Sequence, residues 1–467
     1  MPADSADAVD TDASPVRPGI AERLSRLIQL DTVSSTVAAQ GTGPFEELLE
    51  ELYPLVHRRL RKERLGERGL LFSWDAGGGG AGLHSPAASR PAEDAPAVLM
   101  AHFDTVPAVA EEWSFPPFSG RIENGAVHGR GAVDDKGALV TLLDAVENLL
   151  AQGVTPARPV LISLGGDEET EGPSAKAVSE ELYARGIRPW LVLDEGGAVV
   201  GAPLPGLDQP SAMVGVAEKG AVTVTLTAVA PPGHASTPRR APSAPERLAK
   251  ALTRLRKNPF PKRLNSTART MFAAYESVAT GRAKALVTLA PKLGPLTARA
   301  LATLGGEPAA VVQTTLAVTM LDSGTAHNVI PNTASATLNL RLAVGDSVEQ
   351  VVATLKRAIR DDAITVTLVE GYPASPESRT DSAQWRVIAD AVAEAYPGTV
   401  VAPYVMLAAS DARHFQRFTP DATYRFAPLA MSAAERAAIH GVDERVTVDA
   451  LVRGERFYRH LLLHLPT

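Results

Sequence analysis

Three short apolar runs, each ending in residues that can bind protons or metals, constrain this chain more than any other feature. Ala97-Val98-Leu99-Met100 leads into His102-Phe103-Asp104, residues 159–164 lead into Gly165-Gly166-Asp167-Glu168-Glu169, and residues 190–193 lead into Asp194-Glu195-Gly196-Gly197. Each run has the length of a buried strand and is bounded by turn residues. Helical apolar spacing fills the intervals, over residues 137–151 and 175–185. Strand, helix, strand, helix, strand predicts a mostly parallel α/β sheet, with its site in the loops at the strand C-termini. Helical spacing also covers residues 20–30 and 45–60, and the Gly-, Ala- and Pro-rich stretch 75–96 reads as a surface loop.

After about Met213 the texture changes. Within residues 221–229, Val222, Val224 and Leu226 alternate with Thr223, Thr225 and Thr227, the pattern of a half-buried strand. A helix over 245–256, strands over 314–320 and 333–342, a helix over 348–359 and a strand over 364–369 follow. Without the interruption at about 258–310, the order is β-α-β-β-α-β, a small open-faced α+β sandwich. The helix-rich texture returns from Ser378. The predicted organisation is a discontinuous catalytic domain, 17–213 and 378–467, with an inserted domain over 214–377. Between Arg247 and Arg299 there are twelve basic residues and one acid, Glu276, with leucines at roughly helical spacing. A solvated basic face and a contact with an acidic ligand or membrane surface both fit.

A chain of 467 residues is long enough for two cores. Its formal charge of -7 disfavours nucleic acid as a partner. Cysteine is absent, so disulfides are excluded and any metal must be held by His, Asp and Glu. The first residues are acidic and polar and lack the order of a secretory signal, and no apolar stretch reaches membrane-spanning length. A cytoplasmic protein is the resulting expectation.

Two further clusters join the three at the strand ends: Gly129-Arg130-Gly131-Ala132-Val133-Asp134-Asp135-Lys136-Gly137 and His440-Gly441-Val442-Asp443-Glu444. Singly, each has an ordinary explanation, such as a surface His beside an Asp or an acidic helix cap. Together they are difficult to explain that way. Adjacent carboxylates repel unless cations compensate them, and adjacent Glu168 and Glu169 suit a division between proton transfer and metal binding. Two imidazoles with three or four carboxylates match zinc or a similar divalent ion, and suffice for two ions sharing a carboxylate.

These motifs resemble the dinuclear-zinc peptidases and amidohydrolases that include aminoacylase and glutamate carboxypeptidase. The resemblance covers almost the whole chain after its N-terminal tail. The branch of vacuolar Gly-X carboxypeptidases and N-fatty-acyl-amino-acid synthase/hydrolases is marked by residues 100–107, Trp113-Ser114-Phe115-Pro116-Pro117-Phe118-Ser119-Gly120, residues 192–197, Ala326-His327-Asn328-Val329-Ile330-Pro331 and Ile439-His440-Gly441-Val442. The targeting segments of those secreted or vacuolar relatives have no counterpart here.

The resemblance implies that His102 and Asp194 bind one zinc, Glu169 and His440 the other, and that Asp134 bridges them, with a cis peptide to Asp135. Cobalt or manganese would be possible substitutes. Asp104 would orient His102, Glu168 would be the general base and acid, and His234 would stabilise the oxyanion. Asn328 and Arg341 would hold the substrate, Arg341 on its carboxylate. Ser410-Asp411-Ala412-Arg413-His414-Phe415 is similar to a second substrate loop, with Ser410 and Arg413 as contacts. The implied reaction is hydrolysis of an N-acyl amino acid or small peptide beside a free carboxylate, and the inserted domain could serve as a lid and form a homodimer. The different-class alternative is a catalytically silent binding or scaffold protein on the same fold. The leucines of the insertion would wall an apolar acyl pocket.

Overall fold

The computed structural model describes residues 17–76, 95–203, 206–237 and 240–467. The N-terminal tail and most of the loop expected over 75–96 lie outside the described residues. The chain forms two compact units, Met1–Gly215 with Ser378–Ala402 and Ser410–Thr467, and Val216–Glu377 with Pro403–Ala409.

The fold class is mixed α/β. In the sheet of the first unit, the apolar runs become Ala97–His102, Val160–Gly165 and Leu191–Asp194, every residue of them buried. The order at the sheet centre is Val160–Gly165, Ala97–His102, Leu191–Asp194, Thr423–Arg425, and these four strands are parallel. Antiparallel strands flank them, Gly69–Trp74 on one side and Ser211–Glu218 on the other. From Ala97–His102 the chain crosses to the neighbour on one side, then back over it to the neighbour on the other. That reversal opens a crevice at the strand C-termini. His102, Gly165 and Asp194 are the last residues of the three strands that meet there.

The helix Lys136–Ala151 makes the first crossing, and fifteen of its residues are buried, polar ones included. Each buried polar group needs a partner. Asp144 accepts from Arg23 Nε at 2.8 Å, and Asn148 donates to Glu455 at 2.8 Å. Glu147 accepts the N–H groups of Leu55 and Val56, a carboxylate on a helix N-terminus. At Gly454 a Cβ would meet Thr141 Cγ2 at 2.8 Å, so the helix Val448–Leu463 approaches Lys136–Ala151 through a residue without a side chain. One expectation is corrected. The helix read over 45–60 is two, Gly43–Leu52 and Pro54–Arg59, broken at Tyr53 (φ -130°, ψ 63°). A proline ring excludes helical geometry from the residue before it.

The second unit has a four-stranded antiparallel sheet in the order Thr315–Ser323, Thr333–Leu342, Gly220–Val229, Ile364–Tyr372. Its helices Ala244–Leu255 and Val348–Ile359 share one core with the alternate sheet residues Val222, Val224, Leu226, Leu338 and Leu340. Both helices begin with capping boxes, Ser243 with Glu246 and Ser347 with Gln350. The insertion is helical, over Ser266–Ala274, Gly281–Lys292, Gly294–Leu304 and Gly306–Val312.

Glu46 supplies a stability test in the first unit. Burial would raise its carboxyl, but hydrogen bonds from Arg64, Lys62 and Thr42 outweigh this and lower it from 4.5 to about 2. A depressed carboxyl stabilises the fold above its unfolded value and loses that contribution as pH falls from about 4.5 to about 2. Lys62 and Arg64 are partly solvated, so we expect Glu46→Gln to cost only about 1–2 kcal/mol at neutral pH. Thermal unfolding of the two proteins should converge as pH falls from about 4.5 to about 2; a constant difference across that range would remove Glu46 as the cause.

Candidate metal centre

His102 ends the strand Ala97–His102 and is buried. Its Nδ1 lies 3.0 Å from the Asp104 carbonyl oxygen, so Nδ1 carries the proton and Nε2 offers the lone pair. That Nε2 is 3.0 Å from Asp134 Oδ1. His440 Nε2 is 3.1 Å from Asp134 Oδ2 and 3.0 Å from Glu169 Oε1. One carboxylate therefore faces two imidazoles, one through each oxygen. Two groups of potential ligands result, His102 with Glu168 and Glu169, and Asp134 with Glu169 and His440. Asp194 stands outside both. Its Oδ2 accepts the Ala412 N–H at 2.7 Å, although it ends the strand beside that of His102.

The charges are out of balance. Burial lowers His102, but Asp104, Asp134 and the charge of Glu168 push it well above its ordinary value. Asp134 and Glu169 raise His440 to about 10. Burial would raise Asp134, but the two imidazoles hold it well below the usual carboxylate range. Glu168 is pushed well above that range by burial, against the pull of His102 and with the push of Asp411, Asp134 and Glu169. Glu195 is pushed up by burial and by Asp134 and Asp194, and Asp411 by burial and Asp194. Buried carboxylates at this density stay ionised only where cations or hydrogen-bond donors compensate them.

Backbone N–H groups set the geometry. Asp104 accepts from Glu168 N at 3.1 Å, Glu169 N at 3.2 Å and Ser34 Oγ at 2.8 Å, tying the His102 strand to the glutamate turn. Asp135 Oδ2 accepts the His102 N–H at 3.1 Å, and the Asp134–Asp135 peptide is cis. Glu444 is fully buried and accepts from Val133 N (2.7 Å), Asp134 N (3.2 Å), Gly131 N (3.2 Å) and Arg130 Nη1 (2.7 Å). Arg130 also donates to the Gly441 carbonyl at 2.8 Å. Arg130 and Glu444 thus clamp the Asp134 turn to the His440 turn. The motif reading contained Glu444, Glu195 and Asp411 but gave them no role, and gave Asp135 only its cis peptide. Only the glutamate ending the His440 motif hinted at the clamp.

The other expected residues fall in two places. In the first unit, Ser410 Oγ accepts from Arg425 Nε at 3.1 Å, and Arg413 donates to the carbonyls of Ser410 and Glu171. In the second, Gly233–His234 pairs with Val329–Ile330, and the Ala235 N–H reaches the Asn328 carbonyl at 3.0 Å. His234 Nδ1 accepts the Ser236 N–H at 3.2 Å, which leaves the proton on Nε2. Arg341 lies eight residues along its strand from Thr333, the end at which the His234 and Asn328 segments leave the ladder. The leucines expected to wall a pocket lie on the surface of the second unit. Leu286, Leu289, Leu293 and Leu296 are 43%, 51%, 49% and 60% exposed.

Fold and site define a metal-dependent hydrolase. Residues 98–464 match the peptidase family M20/M25/M40, and the chain belongs to that family. It is 33% identical over 425 residues to the Dictyostelium discoideum protein named "Probable carboxypeptidase S-like 2", covering 90% of this chain and 78% of that one. It is also 33% identical over 459 residues to the N-fatty-acyl-amino acid synthase/hydrolase of Xenopus tropicalis, covering 97% and 86%. Among solved structures, an M20 family metallo-carboxypeptidase of Sulfolobus solfataricus shares the fold with a TM-score of 0.64 and 16% identity, over 96% of this chain and 99% of that one. A dinuclear metal binding peptidase of the same family from Bacillus subtilis gives 0.54 at 13% identity, over 96% and 98%.

The clamp gives a prediction. Glu444→Gln keeps the shape but removes the charge that holds Arg130, and its amide cannot accept all four bonds. Residues that orient metal ligands typically change affinity by about 10–100-fold. Chelator competition should show a loss of divalent-ion affinity in that range, with little change in the far-ultraviolet spectrum. Unchanged affinity would reduce Glu444 to a core residue.

Proposed function

We propose that this protein hydrolyses the amide bond of N-acyl amino acids or small peptides beside a free carboxylate, with two zinc ions as its metal complement. One observation carries the reading: the two oxygens of Asp134 each face one imidazole, His102 or His440. The donor set fits zinc, because imidazole nitrogens and carboxylate oxygens are grouped there. His102 and Asp194 would hold one ion, Glu169 and His440 the other, and Asp134 both. When bound, the ions supply Lewis-acid polarisation and a water acidic enough to attack near neutral pH.

The remaining work belongs to the chain. Glu168 takes the proton from the attacking water and returns it to the leaving nitrogen, as one carboxyl group can do in both directions. His234, its proton on Nε2, suits donation to a developing oxyanion. Arg341 offers paired donors to the substrate carboxylate, and Asn328, Ser410 and Arg413 complete the contacts. The names of the Xenopus tropicalis and Dictyostelium discoideum relatives support N-acyl amino acids and peptides as the substrate classes. Thr333 to Arg341 spans about 26 Å at strand rise. That separation supports a homodimer in which one copy's Arg341 and another's His234 serve one substrate, as do the exposed Met320 and Leu321 on the edge strand Thr315–Ser323.

Glu168→Gln should retain two zinc ions per chain by elemental analysis and lose about 10²–10⁴-fold in kcat. Near-normal turnover of the metal-replete variant would reject Glu168 as the base. Wild-type protein should cleave an N-acyl amino acid far faster than its C-terminal amide, and Arg341→Ala should erode that preference. Mixing Arg341→Ala with His234→Ala should restore acid-selective turnover if copies share the site, and no gain on mixing assigns both residues to one copy.

A further inference from the structure

The basic, leucine-bearing insertion of the second unit plays no part in the reaction described above. Residues 277–306 carry four cations, Arg282, Lys284, Lys292 and Arg299, and no acid, within a chain of net charge -7. The helices Gly281–Lys292 and Gly294–Leu304 meet at Leu293, which caps the first and precedes the second. The first buries Ala283, Val287 and Ala290. At about 100° per residue, Leu286, Leu289, Leu293 and Arg282 share a sector of about 60° away from that buried line. On the second helix Leu296, Ala300 and Leu304 form a similar stripe beside Arg299, opposite the buried Ala298. Leu304 is 73% exposed. Among the described residues, Arg282, Lys292 and Arg299 enter no ion pair.

We propose that this helix pair docks on a membrane surface containing anionic lipid. Two properties must be matched at once, an apolar ridge and a positive rim. A bilayer interface matches both, since leucines enter the boundary between headgroups and acyl chains while cations meet lipid phosphates. A second copy of the same face would bring like charges together, and a free anion would leave the leucines in water. The helices are short and, among the described residues, no helix is long and apolar enough to cross a membrane, so the proposed contact is peripheral.

Flotation of the full chain with phosphatidylcholine vesicles, with and without phosphatidylglycerol, tests this directly. The chain should float with the mixed vesicles, weaken as salt rises and stay behind with the neutral ones. Each cation removed should cost about fivefold in partitioning, so Arg282→Glu, Lys292→Glu and Arg299→Glu together should lose about a hundredfold or more. Leu289→Ser with Leu296→Ser and Leu304→Ser should also lose binding while hydrolysis of a soluble substrate continues, which separates docking from misfolding. Absence of flotation with mixed vesicles at low salt overturns the proposal. So does equal flotation with neutral vesicles, or a wild-type dimer split by the leucine substitutions without vesicle binding.

Discussion

Acidic groups of like charge do not stay together in a protein interior unless something positive or hydrogen-bonding is placed among them. This requirement organises the first unit. Asp104, Asp135 and Glu444 are met by backbone N–H groups, which orient without titrating. Asp134 and Glu169 are met by imidazoles, which can instead bind cations. The difference separates carboxylates held by the backbone from those that face imidazoles. The crossover helix Lys136–Ala151 serves the same end: its buried polar residues are paired, so it can run through the interior directly behind the Asp134 turn.

Much of this was legible because strand ends are local. An apolar run followed by a His or an acid declares both a buried strand and what it points at. Within its own window, though, each cluster is explained equally well by a surface His beside an Asp, a helix cap or a surface turn. His102, Asp134, Glu168, Glu169, Asp194 and His440 become candidate ligands only as members of a set. Glu444 was opaque for a related reason, since its four donors lie more than three hundred positions earlier in the chain. Periodicity registers that such a residue is polar but not that it is buried, nor what it accepts from.

The departures have separate physical causes. The helix over 45–60 broke because apolar spacing continues through Pro54 while backbone geometry does not. For the leucines of the insertion, spacing shows that apolar residues share a face without showing what covers it, and that face is exposed on the second unit. In the second unit, by contrast, strict alternation over Gly220–Val229 and Thr333–Leu342 translated into a one-faced sheet with its helices on the apolar side. Alternation carries more information than a leucine stripe, because the polar residues between the apolar ones mark the solvent side.

The first unit is interrupted by the second, and its site is divided by the same interruption. His102, Asp134, Glu168, Glu169 and Asp194 all precede Val216, whereas His440 and Glu444 follow Ser378. During synthesis, the early segment emerges with its carboxylates and one imidazole of the cluster but without His440 or the glutamate that holds the Asp134 turn. The entire second unit is translated before either arrives. An early fragment therefore carries the group of His102, Glu168 and Glu169 whole, but only Asp134 and Glu169 of the group that His440 completes. The second group can close only in the finished chain, so the order of residues ties it to the completion of synthesis.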